Sequence, residues 1–171
     1  MLMRRGIQVF VIAKGKRLPE RLLEALLMPL LILWSLLVAL TALGKPIFPA
    51  PMFWNSPALA WVGSALCGLG LILFAAALSS FGNAWRVGID DEHSDALVTN
   101  GVFAHSRNPI FLFMHLFFFG VFLMFPNWFF LAAFLIEAIG IHRQILNEER
   151  FLHKKYGDAY DAYRKKVRRY L

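Results

Sequence analysis

The 171-residue chain is 58% hydrophobic and only 17% charged, with a mean hydropathy of +0.56. Soluble domains are about 45 to 50% apolar and about 25% charged, so this composition excludes an ordinary soluble domain. Seventeen Phe and five Trp also exclude a disordered chain, which must lack the apolar surface that drives burial. One membrane-embedded domain over residues 1–171 is therefore predicted.

The formal net charge of +7 is concentrated at the two ends of the chain. A basic groove with stacking aromatic residues is missing, so we predict no nucleic-acid partner and favour contacts with anionic membrane lipids. The single cysteine, Cys67, excludes an intrachain disulfide. We predict no metal site, because the acidic loop cluster lacks regular ligand spacing at Asp90, Asp91, Glu92, His93 and Asp95. No obligate protein partner is evident.

The first apolar segments in chain order run from Leu22 to Leu43 and from Pro57 to Phe81, and each exceeds the roughly 20 residues of a membrane crossing. A third stretch begins at Ile110 and is interrupted by Pro126, which a helix interior rejects. We predict a tight hairpin of two helices here, 110–125 and 127 to about 145. The fold class is thus an all-α integral membrane protein with four transmembrane helices, a cytoplasmic loop and C-terminal amphipathic helices.

Seventeen of the eighteen Lys and Arg residues fall on one side of this topology, in residues 1–21, 82–109 and 142–171. The positive-inside rule therefore predicts that both termini and the central loop are cytoplasmic. A protein of a prokaryotic inner membrane is expected.

After the fourth predicted helix the chain becomes polar and basic. Gly157 and Asp158 predict a break between two short helices. Apolar residues recur at intervals of three and four, which predicts an amphipathic helix lying on the inner leaflet, at Tyr160, Tyr163, Val167 and Tyr170.

The loop from Gly82 to Pro109 is too long for a simple connection, so function is expected there. Asn108 is predicted as a helix N-cap and Pro109 as the first helical residue. The free amides and positive dipole of that helix end predict a site for a carboxylate or a phosphate. The alternative is ordinary capping, with Arg107 on lipid phosphates.

Glu137 lies inside the predicted fourth helix, where an ionisable residue is costly unless it faces a partner or a wet cavity. It shares a helix face with Glu148, which predicts a polar seam leading to the Glu148-Glu149 pair. The alternative is a protonated residue within the helix bundle. His115 and His142 are expected to be packed or interfacial.

Short motifs between Trp85 and Val167 carry a family resemblance. They are Trp85-Arg86-Val87-Gly88, Leu97-Val98-Thr99-Asn100-Gly101-Val102-Phe103, Arg107-Asn108-Pro109-Ile110-Phe111, Glu148-Glu149, and then Leu152, Tyr156-Gly157, Tyr160, Tyr163 and Val167. In this order and spacing they resemble the isoprenylcysteine carboxyl methyltransferase family of integral membrane enzymes.

The resemblance implies a methyltransferase that uses S-adenosyl-L-methionine, with the cofactor site formed by residues 85–111 and 143–167. The implied cofactor contacts are Leu97, Val98, Gly101, Phe103, Arg107, Asn108, Pro109, Ile110, Phe111 and Glu148. This chain departs from the family by having Phe103, Asn108 and Phe111 where the family has Tyr, His and Tyr. The family's substrate-binding arginine falls at Gln144 by strict spacing, with Arg143 adjacent.

Methyl transfer from a sulfonium is an in-line displacement, so the protein must align the reactants and exclude water. An amine or hydroxyl nucleophile would also need a base, for which Glu149 and Glu137 are candidates. We predict methyl transfer to a small lipophilic or lipid substrate, a carboxylate or thiol, at the cytoplasmic interface. The predicted catalytic residues are Arg143, Glu149 and Glu137.

Three alternatives remain open at this point. The first is N-methylation of a phospholipid amine. The second is a membrane reductase of the sterol type that uses NADPH, and the third is a non-catalytic membrane scaffold.

Overall fold

A computed structural model of the protein describes residues 29, 32–47, 50–81 and 97–171. The described residues form helices and loops, without a strand, and they fall into two compact units. The beginning of the predicted Leu22–Leu43 helix, the acidic loop cluster and residues 85–88 lie outside the described residues.

The first unit contributes one described helix, α1, over Ile32–Ala42. It lies within the first predicted transmembrane helix. Its side chains are mostly apolar and many are exposed, with Ile32 at 70% and Leu36 at 50%. An apolar surface of this kind is typical of a helix that contacts lipid.

The second unit contains four α-helices and a short 3-10 helix. They are α2 (Pro57–Phe81), the 3-10 helix (Gly101–Ala104), α3 (Pro109–Met124), α4 (Trp128–Tyr156) and α5 (Asp158–Lys166). The bounds of α2 agree with the apolar segment in the sequence. The hairpin of α3 and α4 turns at Pro126, as predicted, and the Asn127 side chain accepts a hydrogen bond from the Phe130 amide at 3.1 Å to cap α4.

Two helices in the described part of the chain, α2 and α4, are long and apolar enough to cross a membrane. Only 17% of the apolar window of α2 and 11% of that of α4 is buried inside the protein. The core helix of a soluble protein would bury most of such a window, whereas Trp61 and Ile136 here remain 77% and 72% exposed. The outward apolar surface therefore supports membrane association. The count of four crossings stays a prediction.

Helices α2 and α3 cross where a glycine of each helix faces the backbone of the other. A Cβ atom at Gly63 would collide with the Gly120 carbonyl oxygen, and one at Gly120 would collide with that of Gly63. Small residues let helix backbones approach closely in membranes. By contrast, Gly68 of α2 has open space around it.

Helix α4 is longer than the sequence predicted. It continues through residue 145 to Tyr156, so the polar segment after the predicted crossing is the last part of the same helix. The segment 146–156 contains neither Gly nor Pro, and nothing local ends the helix before Gly157. Gly157 adopts a φ of +52°, and this conformation ends the helix at the predicted position. Of the two short helices predicted around this break, only the second, α5, is a separate helix.

The apolar side of α5 packs against protein, which corrects the prediction of a helix lying on the inner leaflet. Tyr160, Tyr163 and Val167 are buried in one cluster, with Leu97, Leu152 and Tyr156 packed around them. The 97–108 loop returns over α5 and removes this stripe from any membrane surface. Tyr170 lies beyond the end of α5, and its hydroxyl contacts His142 of α4 instead of this cluster.

Candidate functional site

Two arginines hold the buried carboxylate of Glu149, which lies in the last third of α4. Glu149 is only 8% exposed. Arg169 donates from Nε to Oε1 at 3.1 Å and from Nη2 to Oε2 at 2.8 Å. Arg107 Nη2 lies 3.2 Å from Oε1. We call Arg107, Glu149 and Arg169 the charged cluster; it carries a net charge of +1.

The start of α3 is tied to the C-terminal segment that follows α5. The Arg107 amide donates to the Arg168 carbonyl, and the Asn108 side-chain amide donates to the Arg169 carbonyl, both at 3.0 Å. Asn108 therefore occupies the N-cap position with Pro109 next, as predicted, but its side chain does not cap α3. It fixes the segment that carries Arg169 into the charged cluster.

The charged cluster leaves hydrogen-bond donors unused. The Nε and Nη1 atoms of Arg107 are buried without a hydrogen bond of good geometry to a described residue, and the Tyr160 hydroxyl, also buried and unpaired, lies near the guanidinium. An unpaired buried donor is costly, and here it belongs to a guanidinium in a cluster of net positive charge. The arrangement suits an anionic group at the start of α3.

The predicted cofactor residues are partly brought together. Leu97 packs on the α5 cluster, Phe103 is buried with its carbonyl accepting a 2.7 Å hydrogen bond from the Tyr163 hydroxyl, and Arg107 and Asn108 join the C-terminal segment. Pro109 is buried at the first position of α3. Glu148 is half-buried and forms no ion pair with a described residue. The other predicted cofactor residues make no polar contact with the charged cluster; they are Val98, Gly101, Ile110 and Phe111.

The buried Tyr163 hydroxyl makes the free energy of unfolding depend on pH in the alkaline range. Burial raises its pKa from 10.0 to about 12. Above pH 10 the unfolded chain loses this proton while the folded chain keeps it, so the contribution of Tyr163 is complete below pH 10 and lost as the pH approaches 12. We expect Tyr163→Phe to lose about 1 kcal/mol from the missing hydrogen bond and to show a shallower decline. Thermal unfolding of both proteins across this range checks it; equal slopes would contradict the assignment.

A groove of about 630 Å³ opens between α3, α4 and the C-terminal segment. Its walls are mainly apolar, and polar side chains gather at one part of it. The lining residues are His115, Leu116, Phe119, Phe134, Ala138, Ile139, His142, Arg143 and Tyr170. We refer to it as the α3–α4 groove.

Two hydrogen-bonded pairs form the polar part of the α3–α4 groove. His115 Nδ1 lies 3.1 Å from the Glu137 carboxylate, whose side chain is only 5% exposed. His142 Nδ1 lies 3.0 Å from the Tyr170 hydroxyl. Arg143 also lines the groove. The three predicted catalytic residues are thus divided: Arg143 lines the groove, Glu137 lies behind the groove residue His115, and Glu149 lies in the charged cluster.

Four residues of this site were missed by the sequence predictions: His115, His142, Arg169 and Tyr170. A signal for the first existed, because His115 and Glu137 lie equally far, eleven residues, from Pro126. In an antiparallel hairpin, residues equidistant from the turn lie at the same depth and can meet. The packing of the C-terminal segment had no comparable signal, because irregular chain carries no periodicity.

Comparison with known proteins identifies the family. A family model described as phospholipid methyltransferase matches residues 58–159, which is more than half of the chain. The chain belongs to the phospholipid methyltransferase family. The matched segment contains α2 apart from Pro57, α3, the groove residues of α3 and α4, and Glu149, whereas Arg169 and Tyr170 lie beyond it. Membership of a methyltransferase family favours methyl transfer over the reductase and scaffold alternatives.

A solved structure supports the same assignment. It is the structure of the eukaryotic intramembrane Ras methyltransferase ICMT (isoprenylcysteine carboxyl methyltransferase). The present structure matches it with a TM-score of 0.58 at 27% sequence identity. The match covers 64% of this chain and 40% of that chain, so the present protein spans less than half of its solved relative. No curated protein sequence gives a significant match.

Proposed function

We propose that this member of the phospholipid methyltransferase family transfers a methyl group from S-adenosylmethionine to a lipophilic substrate at the cytoplasmic face of a membrane. The observation that carries the proposal is the continuity of two sites. Arg169 belongs to the charged cluster, and the next residue, Tyr170, lines the α3–α4 groove. A polar cofactor site therefore adjoins an apolar groove, as methyl transfer to a lipophilic molecule requires.

The charged cluster fits the polar end of S-adenosylmethionine. Arg107 offers two buried donors for the methionyl carboxylate, beside the positive end of α3. Glu148 is available to accept from an amine or hydroxyl group. When bound, S-adenosylmethionine supplies an electrophilic methyl group on its sulfonium. Residues 97–108 pack on α5 beside this region, as exclusion of water from a methyl transfer would require.

The α3–α4 groove fits the lipophilic part of the substrate. Its apolar walls, formed by residues such as Phe119, Phe134 and Ile139, face outward from the helix hairpin, so a chain can enter from the bilayer. Arg143 provides a cation at the groove for an acidic or phosphate group on the substrate. Holding both reactants in a fixed orientation is the main contribution that the protein makes to such a displacement.

Glu149 has a different function in this proposal from the base predicted from the sequence. Both of its carboxylate oxygens accept hydrogen bonds or ion pairs from arginine. Three contacts from the two arginines therefore already occupy both oxygens. Glu149 therefore holds Arg107 and Arg169 in place, and a base, where one is needed, must come from elsewhere.

Calorimetric binding to detergent-purified protein tests the proposed function. S-adenosylmethionine, S-adenosylhomocysteine and NADPH are titrated into the wild-type protein, Glu148→Ala and the matched control Asp158→Ala, an exposed acid at the start of α5. We expect saturable binding of the first two, weakened about 10-fold or more in Glu148→Ala through the lost charged hydrogen bond and unchanged in the control. Binding of NADPH alone, or no binding by folded protein, would overturn the proposal.

A further inference from the structure

We infer that His115 is the base in methyl transfer, that Glu137 positions it, and that the substrate's nucleophile carries a proton. This inference rests on the proposed function. Of the expected carboxylate or thiol it excludes the carboxylate, which needs no base, and it leaves a lipophilic thiol or amine as the substrate. It also gives a function to a histidine that the sequence predictions treated as packed.

The two residues face each other across the hairpin of α3 and α4. His115 lies on α3 and Glu137 on α4, and their contact of 3.1 Å joins Nδ1 of the ring to the carboxylate. The Glu137 side chain is 5% exposed and that of His115 is 20% exposed. The carboxylate is therefore enclosed, while the ring reaches the α3–α4 groove.

This contact fixes which ring nitrogen can act. A carboxylate accepts from Nδ1–H, and a neutral imidazole protonated on Nδ1 has its lone pair on Nε2. A base whose tautomer is held by a third group is the arrangement found in catalytic triads. Nε2 of His115 is thus prepared to accept a proton in the groove.

Other titratable or charged groups reach this part of the groove from α4 and the C-terminal segment. They are His142, Arg143 and Tyr170. The Tyr170 ring centroid lies 5.7 Å from that of His115, and the Tyr170 hydroxyl is engaged by His142. The Glu137 carboxylate is therefore the anion that faces His115, and Arg143 is a cation of the same groove.

The base lies within reach of the proposed cofactor site. His115 is seven residues after Asn108, about 10 Å along α3 at 1.5 Å per residue. Tyr170, which contacts His115, directly follows Arg169 of the charged cluster. The proposal therefore places the substrate's nucleophile between the charged cluster and His115.

The step balances without another reactant. A new bond joins the substrate's nitrogen or sulfur to the methyl carbon, and the carbon–sulfur bond of the sulfonium breaks with its electron pair left on sulfur. The proton of the nucleophile passes to Nε2 of His115, and the Glu137 carboxylate stabilises the imidazolium that forms. Release of that proton to water restores the base.

Three probes of ten carbon atoms each test the inference: decylamine, decanethiol and decanoic acid. They are offered to the full chain in phosphatidylcholine nanodiscs with a methyl-labelled donor. The variants are His115→Gln, Glu137→Gln and the matched control His153→Gln, an exposed histidine near the end of α4. Two further readouts are S-adenosylhomocysteine affinity and the ¹⁵N NMR shifts of the His115 ring.

We expect methylation of the amine or the thiol, whichever the groove accepts, but not of the acid. His115→Gln should lower kcat about 100-fold, with KM and S-adenosylhomocysteine affinity within threefold of wild type. Glu137→Gln should lower kcat at least about 10-fold and alter its pH profile. Its amide donates to Nδ1, so the NMR shifts should show the proton moved to Nε2. His153→Gln should behave as wild type.

Several results would overturn the inference while leaving the proposed function intact. They are a His115→Gln kcat within threefold of wild type, methylation of the acid alone, S-adenosylhomocysteine binding without methylation of any probe, and loss of that binding in His115→Gln. The last would show that the pair is structural. Failure of the wild-type protein itself to bind S-adenosylhomocysteine would instead overturn the proposed function and the inference together.

Discussion

Glu149→Gln is expected to destabilise the protein by about 3 kcal/mol or more, because it removes the anion from a buried ion cluster. Glutamine keeps the size of the side chain, so packing is preserved. The Arg107 side chain is only 9% exposed, and it would keep its positive charge. Its remaining charged neighbour in the cluster would be Arg169, which is also a cation. The change thus leaves two guanidinium groups close together without the carboxylate that separates them.

Thermal unfolding of the detergent-solubilised protein measures this effect, followed by tryptophan fluorescence. Asp158→Asn is the matched control, because it removes a carboxylate at an exposed position. We expect the midpoint to fall by several degrees for Glu149→Gln and to change little for the control. Equal midpoints in the two variants would show that the charged cluster contributes little to stability.

Gly63→Ala and Gly120→Ala are expected to cost about 1 to 3 kcal/mol each, since an added methyl group overpacks the crossing of α2 and α3. The new methyl at position 120 would meet the Gly63 carbonyl oxygen and the Cys67 sulfur. These contacts involve backbone or short side chains, so relief requires the helices to separate. Separation would also loosen α3, on which Asn108 and His115 are placed.

Gly68→Ala on α2 is the matched control for both variants. A methyl group there meets nothing within 4 Å, and alanine is the better helix former by about 1 kcal/mol. The same unfolding assay should therefore give a midpoint at or above that of wild type for Gly68→Ala and lower midpoints for the other two. A common response of all three variants would rule out the close crossing as the cause.

Glu149 shows which features of the site the spacing of sequence motifs can predict and which it cannot. The Glu148-Glu149 pair was located by the order of motifs, and the structure places Glu149 against Arg107 of another motif. Which of the two glutamates is engaged by arginine was not predictable, because one residue on a helix turns the side chain by about 100°. The partner Arg169 lies after α5, in a segment whose path only packing defines.

The sequence by itself determined the helical class, the bounds of α2, the turn at Pro126, the helix start at Asn108-Pro109 and the break at Gly157. These are local properties: apolar length, the missing amide of proline and the conformational freedom of glycine act within a few residues. Only the tertiary structure decided that α4 continues to Tyr156, that the α5 stripe packs on the 97–108 loop, and that His115 meets Glu137. These features depend on contacts between residues far apart in the chain, whose free energy exists only once the helices are packed together.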